Sequence, residues 1–150
     1  PAVALYTREF YAACRSKLTP GGVLSLHIQS PIHRPETLAR IVASLRSVFG
    51  VVRPYLQYVP LYGTLWAMAV ASDSTDPLAL DAAAVDARIA ELGLRDLQLY
   101  NGATHQALLA QPNFLRELLA QPAQAIVEGD ALDDPSLQAD SMQALRVMPV

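Results

Sequence analysis

Four side chains stand where a catalyst would place polar groups. His27, Gln29 and Ser30 lie at or just beyond the end of the apolar run Val23–Ile28, and Tyr62 follows the run Val51–Pro60. In open α/β sheets ligands sit outside the carboxyl ends of the strands, so two such strands would deliver all four groups to one edge. An imidazole, an amide and a phenol together can hold an amine or a nucleobase by hydrogen bonds. A histidine in such a place is more often structural, because its ring bonds readily to nearby backbone. Ser30 is followed by Pro31 and lacks a G-x-S-x-G elbow, which argues against a hydrolase nucleophile. Gly21-Gly22 precedes a strand, whereas a phosphate-cradling loop must follow one. His33 and His105 have no partner at metal-ligand spacing and read as surface or packing residues.

Local signals set out the elements that must carry these groups. Thr7 is a helix cap, followed by Phe10, Tyr11, Cys14 and Leu18 at helical spacing until Pro20-Gly21-Gly22 ends the pattern. This places Cys14 on the apolar, core-facing side. Val23–Ile28 reads as a strand covered on both faces of a parallel sheet. A second helix opens at Pro35, shows Leu38, Ile41, Val42, Leu45, Val48 and Phe49 on one face, and ends near Gly50. Val51–Pro60 is a strand in which Pro54 argues for an edge or a bulge, and Leu65–Ser72 is its return. The tip "LYGTLW" carries Tyr62 and Trp66 either side of a Gly-Thr corner, and Trp66 is assigned mainly to packing. The acids from Asp73 to Asp81 are loop and cap residues. Asp81 caps a third helix ending at Gly93, and two short helices are expected around 103–110 and 113–120.

The expected fold is α/β, the second half of a Rossmann-like sheet with a strand, a helix, an antiparallel terminal hairpin and C-terminal helices. Residues 1–121 make that unit. Residues 122–150 read as a poorly anchored tail, with one amphipathic helix possible through Leu137, Met142, Leu145 and Met148. The 150 residues are 52% hydrophobic and only 17% charged, so apolar faces expect cover. With 14 acids against 11 bases there is no basic run to follow a phosphate backbone, and nucleic acid is not an expected partner. A single cysteine excludes an internal disulfide and a zinc cluster and fits a reducing compartment, taken as the cytoplasm. No stretch has the roughly 20 apolar residues of a membrane span. The opening residues run almost directly into a helix, so the chain reads as cut from something longer.

Three stretches bring a family into view. "PAVALYTREFYAACRSKLTPGGVL" resembles the segment after the catalytic loop of polyamine aminopropyltransferases, the spermidine synthases. "YVPLYGTLWAMAVAS" resembles their Val-Pro-x-Tyr hairpin, and "LQLYNGATHQALLAQPNF" is similar to their C-terminal Tyr-Tyr-Asn, His and Leu-Pro-x-Phe pattern. The three are collinear over residues 1–120. The resemblance implies transfer of an aminopropyl group from decarboxylated S-adenosylmethionine to a diamine such as putrescine, without a metal, in a homodimer. It places Pro1, Ala2 and Leu5 against the adenine, and Tyr62, the one catalytic candidate, beside the attacking amine. It also implies that an aspartate base, a Gly-rich cofactor loop and an acidic ribose contact precede Pro1, so the chain alone should be inactive.

The departures bear on the amine. Where many members read Gln-x-Glu after the first strand, this chain has His27-Ile28-Gln29, so an amide becomes an imidazole and a carboxylate becomes an amide. His27 and Gln29 are therefore substrate-facing candidates at which a dication loses an attractive charge. Leu99, Gln106 and Gln111 replace a tyrosine, a basic residue and a leucine in a segment read as packing. Two alternatives remain: a methyltransferase-fold enzyme using S-adenosylmethionine itself, and a non-catalytic interaction module of the same fold.

Overall fold

The computed structural model describes residues 3–130. After a 3-10 turn at Val3–Tyr6 come α1 (Arg8–Arg15), β1 (Val23–Gln29), α2 (Pro35–Arg46), β2 (Val51–Val59), β3 (Thr64–Ser72), α3 (Ala82–Glu91), α4 (Gly102–Leu109) and α5 (Asn113–Ala120). Short side chains start three of the helices. Thr7 accepts from the Phe10 amide at 3.2 Å, and Asp81 from the Ala84 amide at 2.8 Å. Asn101 and Thr104 form a reciprocal capping box at the start of α4. Pro35 opens α2 at the position where its missing N–H costs nothing.

The sheet has the order β1-β3-β2. β3 pairs antiparallel with both neighbours, so β1 and β2 run in the same direction with the return strand inserted between them. β2 is the edge that Pro54 implied. Alternation along β3 points Ala67, Ala69 and Ala71 to one face, where all three are fully buried. Each alanine lies between bulkier residues: Ala71 between Leu24 and Val52, Ala69 between Leu26 and Pro54. The result is a valley over which α2 packs against both outer strands. Leu38, Ile41, Val42 and Leu45 of α2 are buried there with Tyr11, Ile28, Leu115 and Leu119; each such side chain stabilises the fold by about 2 kcal/mol.

Two expectations are corrected. β1 is not covered on both faces among the described residues: Leu24, Leu26 and Ile28 turn toward the core, while Val23, Ser25 and His27 are exposed. The cause is ordinary period-two alternation, which the apolar run partly masks. Nor is the stretch after Pro122 poorly anchored as far as Asp130. Ile126 is fully buried in the core; its amide donates to Ser44 Oγ at 2.7 Å, and its carbonyl accepts from the Arg8 amide at 2.8 Å. Glu9 accepts from the Glu128 amide at 3.1 Å. The helix proposed through Leu137–Met148 lies outside the described residues.

Beyond the sheet, α3 and α4 pack closely. A Cβ on Gly102 would lie 2.0 Å from the Ala82 carbonyl oxygen, so only glycine fits the contact. α4 rests on β2, whose edge is guarded in two ways. Gln111 donates its amide to the Pro54 carbonyl at 2.9 Å, and Arg53 forms a two-pronged ion pair with Asp76, which also caps the 3-10 turn Pro77–Ala79.

The Arg53 guanidinium beside Asp76 holds its carboxyl down to about 2, below the usual 3.8. A folded-state value below the unfolded one adds stability above the unfolded value and loses it as pH falls toward the folded value. Urea midpoints measured between pH of about 4 and 2 should therefore fall less steeply in Asp76→Asn than in the parent. Equal slopes would show that the pair carries none of the acid sensitivity.

Candidate functional site

The end of β1 is not a plain strand end. His27 pairs with Met68 and Gln29 with Ala67, so Ile28 is the extra residue of a β-bulge. The bulge leaves Ile28 in the core and carries Gln29 to a φ of +87°, a region that residues with a Cβ seldom occupy. Such strain costs on the order of 1–3 kcal/mol and gathers at functional positions. Ser30 then fastens the strand end. Its hydroxyl donates to the Leu65 carbonyl at 2.9 Å and accepts from the amides of Ile32 and His33 at 3.3 and 3.4 Å. The Ser30 hydroxyl is thus committed to backbone, which leaves His27, Gln29 and Tyr62 as the polar candidates read from the sequence.

The hairpin tip is built by a second local device. After β2 the chain makes a 3-10 turn, Pro60–Tyr62, and reverses at Gly63, whose φ of +61° is left-handed. The Gly63 amide donates to the Val59 and Pro60 carbonyls, both at 3.1 Å. Tyr62 is thereby presented at the tip, 47% exposed. Its ring meets Trp66 at a centroid distance of 4.6 Å and an angle of 50°. His27 meets the same indole edge-on at 6.3 Å and 64°. Three rings from two strand ends therefore form one cluster.

Trp66 is more than the packing residue expected. It is the ring shared by His27 and Tyr62. The signal was in the register: pairing His27 with Met68 makes Trp66 its diagonal neighbour on the same face. Its Nε1 is buried and has no hydrogen-bond partner among the described residues. A buried N–H left in this way costs about 1–3 kcal/mol.

Of the remaining candidates, Leu5 is 52% exposed on the 3-10 turn Val3–Tyr6 and is not part of the ring cluster. Pro1 and Ala2 lie outside the described residues. His105 is buried, with Nε2 2.8 Å from the Pro77 carbonyl and Nδ1 2.8 Å from the Tyr100 hydroxyl. It is a strut between α4 and the turn after β3. His33 is exposed. No group of three His, Cys, Asp or Glu among the described residues could hold a metal ion, and no helix among them is long and apolar enough to cross a membrane.

Two strands running the same way, a crossover helix, an inserted antiparallel return strand and a polar aromatic tip define part of a Rossmann-like α/β fold. The family model described as "Spermine/spermidine synthase domain" matches residues 1–83, and the chain belongs to that family. It is 62% identical over 148 residues to the polyamine aminopropyltransferase of Nitrosomonas europaea, covering 99% of this chain and 46% of that protein. It is 40% identical over 121 residues to polyamine aminopropyltransferase 2 of Hyperthermus butylicus, covering 81% of this chain and 40% of that one. Among solved structures, a spermidine synthase in complex with the transition state analogue AdoDATO superposes with a TM-score of 0.67 at 30% identity, over 77% of this chain and 38% of that one. The spermidine synthase from Thermotoga maritima gives 0.69 at 30% identity, over 79% and 40%. The chain thus spans less than half the length of these relatives.

Trp66 is the one tryptophan of the chain, so its emission reports the cluster directly. Removing the ring packed on it, in Tyr62→Ala, should shift the emission maximum to the red while far-UV circular dichroism stays unchanged. An unmoved maximum would place Tyr62 away from the indole.

Proposed function

We propose that this chain supplies the amine-facing wall of a spermidine synthase-like transferase, which moves the aminopropyl group of decarboxylated S-adenosylmethionine to putrescine or a related amine. The observation that carries the reading is the His27–Trp66–Tyr62 cluster, at the carboxyl ends of two strands that run the same way. In this reaction a neutral amine nitrogen attacks the carbon next to the sulfonium. The C–N bond forms as the C–S bond breaks, sulfur keeps the electron pair as a neutral thioether, and the amine's proton passes to a base. The protein's task is to strip and aim that amine.

The rings suit the task. Tyr62 and Trp66 offer π faces that attract an alkylammonium, and the Tyr62 hydroxyl aligns the attacking nitrogen. His27 and Gln29 hydrogen-bond the amine, with Gln29 supplying an amide where a carboxylate would have added attraction. Leu5, exposed on the 3-10 turn, is assigned to the adenine of the co-substrate. The cluster itself holds no carboxylate, so the base is assigned to polypeptide outside these residues and the 150 residues alone transfer nothing. The working form is a homodimer in the cytoplasm.

Calorimetric titration of putrescine should give a measurable Kd for the protein and one weaker by about tenfold for Tyr62→Phe, the loss of one hydrogen bond to a charged group. Mass spectrometry should find no spermidine formed by the 150 residues. Spermidine formed by them would contradict the assignment of the base. Absence of heat from both putrescine and decarboxylated S-adenosylmethionine would favour the non-catalytic module.

A further inference from the structure

Two adjoining hollows lie where α4, the turn after β3 and the start of α5 meet the edge strand β2. The first, about 190 Å³, is lined by Arg53, Pro54, Gln111 and Arg116. The second, about 250 Å³, is lined by Leu80, His105 and Gln106. Leu78, Leu109 and Ala110 border both, so the two share a wall. Two guanidinium groups and no carboxylate line the first hollow, in a chain whose 14 acids outnumber its 11 bases.

The two arginines are not used up by the fold. Arg53 gives Nε and Nη2 to Asp76, which leaves Nη1 without a partner among the described residues. Arg116 has no hydrogen-bond or ion-pair partner among them. Its neighbours along its own helix face, Pro112, Asn113, Leu119 and Ala120, carry no charge that could hold it. It also stands in the first turn of α5, where the helix dipole opposes a cation. A cation so placed weakens its helix and gains no contact in return, the kind of local conflict that gathers at functional sites.

We infer that the two hollows form one binding site for a small organic monoanion, a carboxylate carried on a short apolar arm. Asp76 offsets one guanidinium, so a single net positive charge faces the first hollow. That charge balances a carboxylate, and the planar fork of Arg116 matches its two oxygens. The second hollow takes the arm against Leu78 and Leu80, which are 53% and 46% exposed and gain cover from it. His105 adds no competing polar group, since both its ring nitrogens are already engaged. The site is separate from the ring cluster: about 20 Å of strand divides Arg53 from Val59, where the hairpin tip begins. It takes nothing from the proposed function, and the amine titration at Tyr62 can fail or succeed independently of it.

Titration of the protein with hexanoate, followed by amide and arginine Nε–H chemical shifts, tests the site. Saturable shifts should appear at Arg116, Leu109 and Ala110. Acetate, which lacks the arm, hexanol, which lacks the charge, and inorganic phosphate should each bind at least about tenfold more weakly than hexanoate. Arg116→Gln should weaken hexanoate at least about tenfold, and Arg116→Lys should fall between Arg116→Gln and the parent. The thermal midpoint of Arg116→Gln should equal or exceed that of the parent, because the helix loses an unfavourable charge. No saturable shift, shifts confined to other residues, phosphate as tight as hexanoate, or an Arg116→Gln protein that binds like the parent would overturn the assignment. So would an Arg116→Gln protein that melts lower, since the arginine would then serve the fold.

Discussion

The row of alanines along β3 is the constraint on which the rest of the described structure depends. A strand inserted antiparallel between two strands that run the same way must present something to the helix crossing above it, and Ala67, Ala69 and Ala71 present almost nothing. The low centre lets the Leu38–Leu45 face of α2 settle between the larger side chains of β1 and β2. Large residues at these positions would lift the helix off the sheet. At the ends of the two outer strands, His27 and Tyr62 both meet one indole.

Two small devices complete the alignment. The bulge at Ile28 spends one residue to keep that side chain in the core and to swing Gln29 into a left-handed conformation at the strand's mouth. Ser30 then joins this mouth to Leu65, at the start of the return strand. A strand end held by both a bulge and a side-chain bond has little freedom to drift.

Much of this was legible because its causes are local. Caps at Thr7 and Asp81, the proline that opens α2, the apolar face of that helix and the edge signal at Pro54 all act within a few residues of where they are read. What was hidden depends on pairing. The order β1-β3-β2, the bulge and the shared neighbour Trp66 follow only when the register is known. The exposed face of β1 lay in between: Val23, Ser25 and His27 alternate with Leu24, Leu26 and Ile28, and the run's hydrophobicity hid the alternation. In the C-terminal part, Gln111 reads as a departure from leucine in a packing segment, and only the fold shows its amide donating to the Pro54 carbonyl. Ile126 gave no periodic signal at all, since a single core side chain outside any helix or strand, tied by its backbone to Arg8 and Ser44, has no period.

The sequence family and the geometry meet at the hairpin tip, so the account stands on whether three rings from two strand ends form one cluster in solution. A nuclear Overhauser spectrum of the protein measures that contact directly. The account predicts cross-peaks from the Trp66 indole protons to the rings of both His27 and Tyr62. Cross-peaks to Tyr62 alone would reduce the tip to an isolated hairpin, and their absence from both rings would contradict the site.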